Sequence, residues 1–207
     1  MRRTAGEALL CQAALIAGVL ATSMASADDR ATKRAKEIVN GTCFLCHGAY
    51  GEAASELFPR LAGQNAAYIA KQLANFKSGE RRSSTMQPIA TSPSSEDMEA
   101  LGRYFSRQSA PPHDVGDAAA AERGRTVYRG GDAANRATSC IVCHGEKAHG
   151  TENLPRLAGQ VASYIVLQLR NFGSRRRTND NEVMHAVAAS LTDSEMLDVA
   201  EYLSTLN

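Results

Sequence analysis

The sequence predicts an all-α protein made of two similar halves. Three observations carry that reading. A pentapeptide occurs twice, its neighbours recur at a nearly constant offset, and apolar residues fall at helical intervals. No stretch alternates apolar and polar residues for long enough to read as a strand.

The chain opens with Arg2 and Arg3, an apolar stretch from Ala8 to Leu20, and the small-residue trio Ala25-Ser26-Ala27. That order reads as a secretory signal peptide over 1–27, with the mature start near Asp28. The apolar stretch is short for a membrane span of about 20 residues; retention as an uncleaved anchor is the alternative. Removal leaves 180 residues with 21 basic and 21 acidic side chains. A balanced charge gives no reason to expect nucleic-acid binding.

A first helix is expected from about Ala31 to Val39 and its counterpart from Ala119 to Tyr128, each stopped by glycine, at Gly41 and at Gly130-Gly131. The second helix places Ile69, Leu73 and Phe76 on one face, and Ile165, Leu169 and Phe172 repeat the pattern. Ahead of each copy lies the hexapeptide Pro59-Arg60-Leu61-Ala62-Gly63-Gln64 or Pro155-Arg156-Leu157-Ala158-Gly159-Gln160. The last helices open at the capping boxes Ser94-x-x-Asp97 and Thr192-x-x-Glu195. Met98, Leu101 and Phe105 then share a face, as do Met196, Val199 and Leu203. Offsets between copies stay at 96 to 98 residues, the mark of one unit duplicated. Pro111-Pro112 and polar neighbours mark a linker at 110–116, dividing a first domain over 28–109 from a second over 117–207.

The repeated pentapeptides are Cys43-Phe44-Leu45-Cys46-His47 and Cys140-Ile141-Val142-Cys143-His144. Cys-x-x-Cys-His is the attachment signature of c-type haem. Two thiols at this spacing add across the vinyl groups of one porphyrin, and the following His ligates its iron. Two covalently attached haem c groups are therefore expected, on Cys43, Cys46, Cys140 and Cys143, with His47 and His144 as iron ligands. A four-thiolate zinc site usually draws on closer pairs, and 93 residues separate Cys46 from Cys140. Simple disulfides are the other alternative. The fifth cysteine, Cys11, lies in the signal stretch, so the mature chain has no spare thiol.

A Met sulfur at the sixth iron position favours Fe(II) and raises the potential. Each half offers two, Met86 and Met98, then Met184 and Met196. Met98 and Met196 belong to periodic helices and read as core. Met86 and Met184 lie in loop-like stretches after the second helices and are the expected ligands. His185 competes at the second site, though its counterpart is Gln87. His113 in the linker and His149 read as surface histidines. Two basic runs, Lys77, Arg81 and Arg82, then Arg175, Arg176 and Arg177, are either solvated loop charge or a docking surface for an acidic partner.

The doubled Cys-x-x-Cys-His, the Pro-Arg-Leu-Ala-Gly-Gln after each, and the Met ahead of each last helix together resemble dihaem cytochrome c4, over essentially the whole mature chain. The resemblance implies two tandem class I cytochrome c domains, with the carbonyls of Pro59 and Pro155 orienting the proximal histidines. It also implies a role for Tyr68 and Tyr164 at haem propionates, with helix packing as the alternative. One departure is Ala35, which stands where the second half has Gly124 for close packing against Tyr202.

The function so implied is electron transfer without a catalytic residue, in the periplasm. Electrons would come from a quinol-oxidising complex or a dehydrogenase and go to a terminal oxidase or reductase. Loose membrane association is compatible with the sequence. The alternatives are the dihaem subunit of an enzyme, such as a flavin-dependent sulfide dehydrogenase, and a haem enzyme or gas sensor with an open iron.

Overall fold

The computed structural model describes residues 28–131 and 138–207. The expected signal peptide, and most of the extra segment ahead of the second pentapeptide, lie outside them. Helix α1 covers 28–38 and passes through one π turn, Val39–Cys43, into α2, Phe44–His47. Then come α3 (Ala66–Ser78), α4 (Met86–Ala90) and α5 (Ser95–Ser106). The second half repeats this order with α6 (Ala118–Gly130), α7 (Ile141–His144), α8 (Ala162–Gly173), α9 (Val183–Ala188) and α10 (Asp193–Ser204). There is no strand among the described residues.

Each half builds a small core where its first, second and last helices meet. In the first half Ala35, Val39, Ile69, Ala100, Leu101 and Phe105 form it, with Cys43 packed on its edge. In the second, Tyr128, Ile165, Val166, Val199, Ala200 and Leu203 do so together with Ala148 and Ala158, and Cys140 takes the edge position. The capping boxes form as expected, with Ser94 accepting from the Asp97 N–H and Thr192 from that of Glu195. Gly124 is required by packing. A Cβ there would lie 1.9 Å from the Asp198 carbonyl oxygen, so only glycine lets α6 and α10 approach this closely.

Two element expectations are corrected. Gly41 does not end the first helix; it sits inside the π turn, where the wider ring carries the helix directly into the Cys-x-x-Cys-His segment. The second half has more chain before its pentapeptide, and there α6 does stop, with Gly131 at φ 67°. Met86 and Met184 lie not in open loops but in the short helices α4 and α9. Ser83 Oγ accepts the Met86 N–H at 3.0 Å, and Asp180 Oδ2 accepts the Met184 N–H. Short polar side chains thus nucleate a turn that composition alone reads as loop.

Candidate functional site

The pentapeptides sit at the start of short helices, so each His follows its two cysteines within a single turn. His47 is 7% exposed and His144 6%. His47 Nδ1 donates to the Pro59 carbonyl at 2.9 Å, and His144 Nδ1 to that of Pro155 at 3.2 Å. Burial holds both imidazoles below their ordinary pKa, opposed by the proline hydrogen bonds. A neutral ring with Nδ1–H engaged keeps its Nε2 lone pair for a metal.

No disulfide links Cys43, Cys46, Cys140 and Cys143. Burial pushes the Cys43 and Cys140 thiols up to about 11, which leaves little thiolate at neutral pH. Among the described residues no three His, Cys, Asp or Glu side chains converge as a metal cluster, so the two Cys pairs do not build a shared four-thiolate site. One residue between each pair of cysteines turns outward, Leu45 at 66% and Val142 at 71% exposure, while Ile141 packs against the second core.

Met98 and Met196 are buried at 4% and 6% exposure. Met86 and Met184 are half-buried at the openings of α4 and α9. His185 Nδ1 donates to the Phe172 carbonyl at 3.0 Å, which ties it to the end of α8. His149 Nε2 meets the Asn207 carbonyl oxygen at an exposed position. His113 differs from its surface reading: it is half-buried, with a buried Nε2 that has no partner.

A polar network joins the halves. The hexapeptides exchange side chains across the junction. Gln160 accepts the Arg60 N–H at 2.7 Å and donates to the Arg60 carbonyl at 2.9 Å. Gln64 does the same for Arg156, both at 2.8 Å. Gly63 and Gly159, both at φ 68°, make the turns that present these backbones. Deeper in, Arg81 donates to Gln72 of its own half and to Tyr164 and Gln168 of the other. Arg177 mirrors it, donating to Gln168 and then to Tyr68 and Gln72.

This network corrects the reading of the basic runs. Arg81 and Arg177 are buried, each stacked on an aromatic ring of its own half, Phe76 and Phe172. Only Lys77, Arg82, Arg175 and Arg176 stay exposed. Among the described residues neither buried guanidinium forms an ion pair; their partners are neutral amides and phenols. Burial resists ionisation of the Tyr164 phenol, but Arg81 and Arg177 outweigh it and hold that hydroxyl below its ordinary value. Two buried cations without a carboxylate call for an outside anion. A porphyrin with carboxylate side chains meets that need, and the neutral histidines meet the need of its iron.

The comparisons agree with this geometry. The cytochrome c family model matches residues 121–207, and that of the cbb3-type cytochrome c oxidase subunit III matches 30–105. Cytochrome c4 of Pseudomonas aeruginosa is 33% identical, covering 88% of this chain and 90% of that protein. The chain belongs to the cytochrome c4 family. Cytochrome c-552 of Acidithiobacillus ferridurans is 35% identical across 93% of this chain and 84% of its own length. The crystal structure of reduced recombinant cytochrome c4 from Pseudomonas stutzeri superposes with a TM-score of 0.77 at 31% identity, covering 83% of this chain and 98% of that one. The fold is thus two cytochrome c domains in tandem. The chain carries two covalently attached haem c groups and is an electron carrier rather than an enzyme.

Proposed function

We propose that this cytochrome c4 relative shuttles electrons in the periplasm between a quinol-oxidising complex or dehydrogenase and a terminal oxidase or reductase. The observation that carries the site reading is the doubled His–Pro geometry, two neutral buried imidazoles each aimed by a proline carbonyl. Cys43 and Cys46 hold the first haem and Cys140 and Cys143 the second. His47 with Met86, and His144 with Met184, are the axial ligands. Haem supplies reversible one-electron chemistry at iron when bound. The protein's own residues hold it, exclude water, and neutralise its carboxylates. Arg81 and Arg177 suit the last task, helped by Tyr68 and Tyr164. Each phenol accepts from an arginine and keeps its own proton to donate.

The domains proposed are 28–109 and 117–207, joined by 110–116 after a cleaved leader over 1–27. Among the described residues no helix is long and apolar enough to cross a membrane.

A second reading has a specific observation behind it. A protein of Stutzerimonas stutzeri named thiosulfate dehydrogenase electron acceptor is 40% identical over 171 residues, 79% of this chain and 78% of that one. A thiosulfate dehydrogenase structure from Marichromatium purpuratum also superposes, with a TM-score of 0.75 at 30% identity; this chain covers 40% of it. A dehydrogenase that oxidises a sulfur compound is therefore a proposed donor.

Quantifying haem per chain and recording the ferrous spectrum with and without carbon monoxide tests the carrier. Two haems and an unchanged spectrum are expected. Rapid gas binding at either iron would transfer the reading to an enzyme or sensor.

A further inference from the structure

The segment between the halves is held at two points, one from each half. Arg60, buried in the first hexapeptide, donates through one terminal nitrogen to the Pro111 carbonyl and, at 2.6 Å, to the Gly159 carbonyl of the second hexapeptide. Two residues beyond Pro111, the His113 N–H donates to the Ser204 carbonyl at the end of α10, at 3.0 Å. The His113 ring faces the Arg60 guanidinium. Each carries a buried nitrogen with no hydrogen-bond partner, Nε2 on His113 and Nε on Arg60.

The surroundings of this ring oppose a second cation. Burial, and then Arg60, hold the His113 imidazole below its ordinary value of 6.5. Glu56, the Gly159 carbonyl and Asp114 pull the other way without reversing the shift. Both carboxylates are exposed, so water and salt screen them. Arg156 adds a further cation beside Arg60, and Glu201 is already engaged by the N–H groups of Gly116 and Asp117. A proton on Nε2 would place a charged N–H where no acceptor waits, and an unpaired buried charge is costly.

We propose that His113 is an acid-sensitive latch on the junction: neutral, it lets the linker close on Arg60 and α10, and protonated, it drives the linker off both contacts. The closed linker favours the neutral ring, so it binds fewer protons than the open one. The latch is therefore at full strength above about pH 6.5, where the freed ring is neutral too. It weakens as pH falls from there towards the lowered value of the closed ring. One proton gained on opening changes the opening equilibrium by up to about tenfold per pH unit.

The test is amide hydrogen exchange by NMR on the ferrous dihaem protein from pH 8 to pH 5, corrected for the intrinsic exchange rate. Protection of the His113 N–H should hold steady above about pH 6.5 and then fall by up to about tenfold per pH unit. Protection of the Val199 N–H, in the core of α10, should not change over the same range. In His113→Gln, which is neutral throughout, protection at position 113 should not depend on pH. Constant protection in the unaltered protein, or the same decline in the variant, would overturn the latch. So would a parallel loss at Val199, which would make the effect general acid unfolding. The ring protons of His113 give a check that needs no variant: a titration midpoint at or above 6.5 in the intact protein also overturns the proposal.

Discussion

A proline carbonyl occupies one ring nitrogen of His47 and another holds that of His144, and the effect is directional. The remaining nitrogen can point only away from the proline loop, so each ring is committed to one face before any metal arrives. On the proposed ligation the sixth position has no such tether and falls to the side chain at 86 or 184. Met184→His should lower the second haem's potential by a large margin and leave the first unchanged, since axial ligation helps spread haem potentials over about 0.8 V. A redox titration of the variant checks this. Unmoved potentials would remove Met184 from the ligand set.

At the scale of elements, the junction between the halves depends on side chains that close backbone groups of the opposite half. Gln160 satisfies both the N–H and the carbonyl of Arg60, and a third bond runs from the Val161 N–H to the same amide oxygen. Gln160→Ala strands these groups in a buried position. It should cost about 1–3 kcal/mol for each buried group left unpaired, and should separate the unfolding of the two halves in a denaturant titration of the haem-loaded protein. A single transition at the original midpoint would show that the junction adds nothing. The hexapeptides were legible as a repeat, and their prolines as histidine partners. Their glutamines were not legible as an interface, because a repeat reports what each half does and not how the halves face one another. Arg81 and Arg177 illustrate the same limit. In sequence they are members of basic runs, and only burial separates them from Arg82 and Arg176. The available signal was polar Gln72 and Gln168 set among apolar positions of paired helices.

For the whole molecule, the cores are small: six buried residues in one half and eight in the other. Each lies beside the first cysteine of its pentapeptide, so a haem joined there extends the core rather than sitting apart from it. Haem-free chain should therefore lack a cooperative helical melt by circular dichroism, as metal-dependent domains do without their metal. A sharp, fully helical transition would refute this.

By itself the sequence determined the helical class, the duplication, the two haem signatures and the matched methionines, because each is a pattern of spacing along the chain. Tertiary structure alone decided that Gly41 lies within a helix, that Met86 and Met184 open short helices, and that two arginines are buried between the halves. Those outcomes depend on which surfaces meet and how much water they exclude, and residue spacing within one chain carries neither quantity.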